Sequence, residues 1–257
     1  MPIRILILLF FITKVSSIRQ CTANEKIRAL IDCEVSFNQL FRLEAKYAEK
    51  PKNATFYHGM NSICEETMDC YKPLQCEEAF KYRIHIDEEC DFKISKFPDN
   101  QECIVQFFKD SYAAQYSQNS CLSNFEFMHS NLTIRRTAYH TGKWCFMEYV
   151  RENCPEISVD YFSRRYEKIT DVFSQPSDKN CTGERYWLKH LQCHASLDET
   201  KNRIENLNIF DGLFGSTRVD NVIKACKDTK VCIEGDNCFT STVIPGEIER
   251  LCSGYKN

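Results

Sequence analysis

Histidines and cysteines are the side chains whose spacing in this 257-residue sequence could support chemistry. The stretch HLQCH places His190 and His194 at i, i+4, on one face of a predicted helix. Zinc hydrolases use such a pair with a Glu directly after the first His. Leu191 stands there instead, so the pair is expected on a solvated helix face. His58, His85, His129 and His140 are scattered. The stretch IEGDNCF offers Glu234, Asp236 and Asn237 as oxygen ligands, but it falls far short of a twelve-residue calcium loop and reads as a polar turn. There is no Gly-x-Ser-x-Gly elbow, phosphate-binding glycine loop or dinucleotide fingerprint. A glycosidase pair among the many carboxylates would be defined by distance in space, which spacing does not show. No catalytic, metal or cofactor residue is assigned, and the expectation is a protein that is not an enzyme.

The cysteines carry more information. They stand at Cys21, Cys33, Cys64, Cys70, Cys76, Cys90, Cys103, Cys121, Cys145, Cys154, Cys181, Cys193, Cys226, Cys232, Cys238 and Cys252. The intervals six, six, fourteen separate Cys64, Cys70, Cys76 and Cys90, and recur at Cys226, Cys232, Cys238 and Cys252. Twelve residues separate Cys21 from Cys33 and Cys181 from Cys193. A six-cysteine unit is therefore expected twice. Residues between the cysteines agree: Thr67 aligns with Thr229, Ile86 with Ile248, and Ile27 and Ile31 with Trp187 and Leu191 at helical i, i+4 spacing. Pro73 and Gly235 each end a helix expected through the first two six-residue-spaced cysteines of its copy.

Zinc sites use tight pairs such as Cys-x2-Cys. A six-residue step along a helix turns through about 600°, so successive side chains diverge toward different neighbours. An even cysteine count with this spacing reads as structural disulfides, with the pairing left open and no thiol spare for nucleophilic chemistry.

The compartment follows from the start of the chain. MPIRILILLFFITKVSS has Arg4, an apolar run from Ile5 to Ile12, and small residues before Ile18. Residues 1–17 are expected to be a secretory signal peptide, too short to span a bilayer. Sequons at Asn53, Asn131 and Asn180 are then candidate glycan sites. The formal charge of −3 and the absence of a basic cluster make nucleic acid a poor partner. The pairs Arg135-Arg136, in an expected strand or loop, and Arg164-Arg165, in an expected helix, read as surface charge.

Between the two units lies a block without a second copy. A helix is expected with Ile104, Phe107, Phe108 and Tyr112 on one face. Another runs from Gly142 to Pro155, and a third buries Tyr161, Tyr166, Ile169 and Phe173. SQPSDKN is a loop, placing a domain boundary between residues 175 and 176. The expected fold is mainly α: a full disulfide-stapled helical domain over 18–175 and a truncated second copy over 176–257.

Three features together, Cys21-x11-Cys33, the run from Cys64 to Cys90 and GKWCFMEYVRENC from Gly142 to Cys154, resemble a nematode family of secreted proteins, the domain of unknown function 19. The resemblance covers about residues 18–175. It implies an extracellular, helical, cysteine-rich protein and supplies no activity or catalytic residue. The functional expectation is a secreted glycoprotein that binds an extracellular protein or a small apolar ligand, with no cofactor and no membrane span in the mature chain. The alternatives are a secreted hydrolase or antimicrobial effector, a lipid carrier, or a matrix component. A convergent acidic and histidine cleft would favour the hydrolase, a large apolar cavity the carrier, and a flat aromatic patch a protein partner.

Overall fold

The structure, a computed structural model, describes residues 19–50, 52–114, 120–175, 183–207, 217–234 and 243–255. The expected signal segment, the boundary loop after Gln175, Asn180, Cys181, Asp236, Asn237 and Cys238 lie outside them. Among the described residues the regular structure is entirely helical.

The chain divides into two compact units, residues 1–87 and 88–257. In the first, α1 (Ala23–Ile27), a π-helical turn (Arg28–Cys33) and α2 (Glu34–Lys46) form one continuous helix, followed by α3 (Ala54–Tyr71) and the first part of α4 (Glu77–Ser95). A capping box starts α1: the Thr22 hydroxyl accepts from the Glu25 amide while the Glu25 carboxylate accepts from the Thr22 amide. Asn53 caps α3, accepting from the Phe56 amide. The core joins Ala29, Cys33, Phe37 and Leu40 to Phe56, Tyr57, Met60, Cys64 and Tyr71, all buried. The Tyr71 hydroxyl donates to the Ala29 carbonyl at 2.9 Å, giving a buried phenol its partner.

The second unit holds the end of α4, then α5 (Pro98–Ala114), α6 (Leu132–Thr141), α7 (Lys143–Asn153), α8 (Glu156–Ser174), α9 (Gly183–Glu205), α10 (Thr217–Glu234) and α11 (Val243–Cys252). The helices on either side of the expected boundary share this unit, because α9 packs on α5 and α8 as well as on α10. Its core is aromatic. Phe107 lies 4.7 Å from Phe146 and 5.4 Å from Phe127 in edge-to-face contacts, and Phe108 lies 5.0 Å from Phe173. The stripes expected on α5 and α8 are the buried ones. Gly142 joins α6 to α7 where a Cβ would meet the Ala138 carbonyl at 2.6 Å and the Phe127 ring at 2.7 Å, so close approach requires glycine there.

Arg135 and Arg136 correct the sequence reading. They lie in helix α6, begun by the Asn131 cap, rather than in a strand or loop. Arg135 is buried rather than a surface charge: its Nε donates to the His129 carbonyl and its Nη1 to the Phe173 carbonyl. Arg165 also departs from plain surface charge, since it faces buried Asp91.

The described cysteines are stapled as expected. The bridges are Cys21–Cys76, Cys33–Cys70, Cys103–Cys154, Cys121–Cys145, Cys193–Cys232 and Cys226–Cys252. Cys64 and Cys90 are disulfide-bonded too, and no described cysteine is free.

Candidate functional site

The helix from Ala23 to Lys46 has two apolar stripes, and only one is buried. Cys33 points inward because its bridge must reach Cys70 on α3, and Ala29, Phe37 and Leu40 share that side. Ile27 and Ile31, read from spacing as one apolar face, lie on the other. Ile27 is 55% exposed, Leu30 44%, Ile31 58% and Val35 56%. Steps of four residues drift by about 80° over two steps of an α-helix. The π turn, marked by the Glu34 amide bonding to the Ala29 carbonyl at i−5, counters that drift and keeps Ile27, Ile31 and Val35 in line. Cys21–Cys76 and Cys33–Cys70 pin the start and middle of the segment. The stripe is thus displayed on a rigid support. Isolated exposed aliphatic residues are ordinary, but a contiguous row marks an interaction surface.

His190 and His194 do come together, with ring centroids 4.4 Å apart, but they are half-buried rather than solvated. Trp187 and Tyr186 stack near His190, at 5.9 and 6.1 Å. Burial, and then the neighbouring His194, hold the His190 pKa below its usual 6.5. Among the described residues, the one group of three potential metal-ligating side chains within reach of each other is Cys21, Cys76 and Glu78. Two of these form a disulfide, and Glu78 accepts instead from the Cys21 amide. Glu234 ends α10 and is exposed.

Two clefts bear on the alternatives. One, of about 520 Å³, is lined by Asp110, Glu148, Tyr149 and Glu152, with the Tyr149 hydroxyl donating to Asp110 at 2.6 Å. Burial and that carboxylate drive the Tyr149 pKa far above its usual value, so the phenol stays a donor. The other, of about 510 Å³, lies between α10 and α11; Ile223, Ile233, Pro245 and Ile248 supply its apolar lining, and Lys227 and Lys230 also border it.

A buried charge cluster sits where α4, α8 and α9 meet. The Asp91 side chain is fully buried, with Arg165 Nη2 at 2.9 Å and the Lys168 ammonium on its other oxygen. Glu184, also buried, accepts from the Tyr161 hydroxyl at 3.1 Å. Burial, reinforced by the Asp91 charge, raises the Glu184 pKa to about 7. The sequence pattern marked Tyr161 only as a core position and Arg165 only as surface charge, and it singled out none of Asp91, Lys168 and Glu184.

The family model for a domain of unknown function, DUF19, matches residues 21–182. The chain belongs to the DUF19 family. No curated protein and no solved structure matches it. The DUF19 match opens at Cys21, so the pinned helix with its exposed stripe lies inside it, as do Asp91, Arg165 and Lys168. Glu184, α10 and α11 lie beyond its last residue. No described helix of this DUF19 protein is long and apolar enough to cross a membrane.

Proposed function

We propose that this DUF19 protein is a secreted glycoprotein without catalytic activity that works by binding, and that the exposed face of α1 and α2 is its docking surface. The observation carrying this reading is the row of Ile27, Leu30, Ile31 and Val35 on a helix held by two disulfides. Oxidised cysteines throughout the described residues and the signal-like first 17 residues support export. A photo-crosslinking amino acid at position 31 tests the surface. The secreted chain is expected to yield a covalent protein adduct on irradiation in its native extracellular fluid, whereas the same probe at exposed Asp69 yields none. An absence of adducts at position 31 would remove the docking surface.

Glycosylation is part of the proposal. Asn53 and Asn131 are exposed helix caps whose Oδ1 accepts backbone hydrogen bonds, leaving the amide nitrogen for a glycan. Thr55→Ala and Thr133→Ala in a eukaryotic secretion host are each expected to remove one glycan mass with no change in melting temperature. Asn53→Ala is expected to remove the same mass and also about 1 kcal/mol of stability with its cap. Identical intact masses for wild type and both threonine variants would exclude modification at these sites.

We also infer that residues 181–252 are a second copy of the six-cysteine unit. The Cys193–Cys232 bridge joins the counterparts of Cys33 and Cys70, and Cys226–Cys252 joins the counterparts of Cys64 and Cys90. Met60, Cys64, Thr67 and Tyr71 align with Val222, Cys226, Thr229 and Ile233, and all eight are buried. A second functional reading, a carrier of anionic amphiphiles, is favoured by the apolar cleft between α10 and α11, where Lys227 and Lys230 would meet the head group.

A further inference from the structure

We propose that His190 and His194 on α9 form a two-imidazole site for one Cu²⁺ ion. This site stands apart from the α1–α2 face and goes beyond the docking role proposed for it.

The two rings stand at the separation that one ion would impose. Helical i, i+4 spacing puts His194 one turn after His190, and the ring centroids lie 4.4 Å apart with the planes at 72°. An imidazole nitrogen binds a transition metal at about 2.0 Å, so the ring centre stands roughly 3.2 Å from the ion. Two rings at about 90° around one ion then have centres roughly 4.5 Å apart. A tetrahedral ion such as Zn²⁺ opens that angle and sets the centres roughly 5.2 Å apart. The right angle between neighbouring ligands is the tetragonal geometry of Cu²⁺, which also leads the first-row divalent ions in affinity for nitrogen ligands. Nδ1 of His190 is buried, which leaves Nε2 as the nitrogen that meets an ion from solvent.

The surroundings favour the ligating form. A metal takes the neutral imidazole. Burial, and then His194, lower the His190 pKa, so this ring is neutral at pH 7. Tyr186 and Trp187 lie nearly parallel to the His190 ring, at 17° and 23°, and hold its plane. Among the described residues no third His, Cys, Asp or Glu joins the pair, so water fills the other positions and the ion exchanges readily. The cysteine frame does not account for the two histidines. At the equivalent positions of the first unit stand Leu30 and Glu34, both exposed. Ring packing does not account for them either. Phenyl rings would pack as well, whereas adjacent imidazoles repel each other when protonated.

Equilibrium dialysis and electron paramagnetic resonance of Cu²⁺ on the full secreted chain at pH 7 test this. Wild type is expected to hold one Cu²⁺ whose spectrum carries splitting from two nitrogens, and the ion is expected to raise the melting temperature. His190→Gln and His194→Gln are each expected to weaken the site more than tenfold, to leave one nitrogen in the spectrum and to abolish the melting shift. His85→Gln, an exposed histidine outside the pair, is expected to change none of these. A two-nitrogen signal that survives in either glutamine variant would overturn the proposal, as would Zn²⁺ held as tightly as Cu²⁺. Copper bound equally by wild type and the double variant would mean an adventitious ion only and would overturn it too. A wild-type spectrum without two nitrogens overturns it whether or not the variants fold.

Discussion

Replacing both cations that face Asp91, by Arg165→Met with Lys168→Met, is expected to cost about 3–5 kcal/mol of unfolding free energy, more than Asp91→Asn costs. The asymmetry follows from burial. The Asp91 side chain has no exposure, whereas Arg165 and Lys168 keep 29% and 36%. Without the carboxylate, two long cationic side chains can turn their heads toward water. Without the cations, the carboxylate stays inside at the cost of its own desolvation. Adding Asp91→Asn to the double cation variant is expected to recover most of the loss, because a neutral amide needs no counter-charge. Urea unfolding of the four proteins at pH 7 closes the cycle. Equal costs for the carboxylate and cation variants would mean that Asp91 reaches solvent when its partners are removed.

Glu184 gives the same cluster a pH signature. Its carboxyl keeps its proton up to about pH 7 in the folded chain and releases it near 4.5 when unfolded. Between those values the folded state binds more protons, so its contribution is fully present below 4.5 and is lost as pH rises through 7. Glu25 and Glu78, each held near 2 first by a side-chain hydrogen bond, from Arg19 and Lys26 respectively, act in a different window. Their contribution is present above 4.5 and disappears as pH falls toward 2. His190, whose pKa is lowered, opposes Glu184 by weakening the fold as pH drops below 6.5. The difference between wild type and Glu184→Gln isolates the glutamate. It is expected to change by about 1 kcal/mol per pH unit between 4.5 and 7, with the variant the more stable at neutral pH. A difference flat across that range would show that Glu184 is ionised in the fold.

The elements that could be read in the residues were those whose burial and punctuation agree. Helices α5 and α8 carry the expected aromatic stripes, Gly142 and Pro155 bracket α7, and all three fold as that pattern dictates. The first helix has two apolar stripes, and spacing alone does not say which one faces in. A readable signal was present: Cys33 must point at a bridge partner, so Ala29, Phe37 and Leu40, which share its face, belong to the core. Arg135 was misread. Its burial exists to supply donors to two carbonyls, those of His129 and Phe173, and the second is 38 residues away. The Asp91 cluster joins residues as much as 93 positions apart through helix packing, so no local pattern marks it. The cysteine spacing is the most direct link from sequence to structure, since Cys33–Cys70 and Cys193–Cys232 occupy equivalent intervals.

Removing the Cys193–Cys232 bridge, by replacing both residues with Ala, is expected to cost about 4 kcal/mol in the chain-entropy model for its span of 39 residues. The span of Cys33–Cys70 is 37 residues, so chain entropy hardly distinguishes the two bridges. Packing does. Cys193 is fully buried in a small cluster with Leu197, Ile233 and Ile248, which joins α9 to α10 and α11. The aromatic core formed by α5, α7 and α8 lies apart from that cluster and keeps its own bridges, Cys103–Cys154 and Cys121–Cys145. The damage should therefore be local. Hydrogen exchange is expected to show protection lost over α10 and α11, with α5, α7 and α8 changed by less than tenfold. The Cys226–Cys252 bridge still ties α10 to α11, so the two should lose protection together. If α5 and α8 open with them, α9 transmits the loss through its contacts on both sides, and the last six-cysteine segment has no stability of its own.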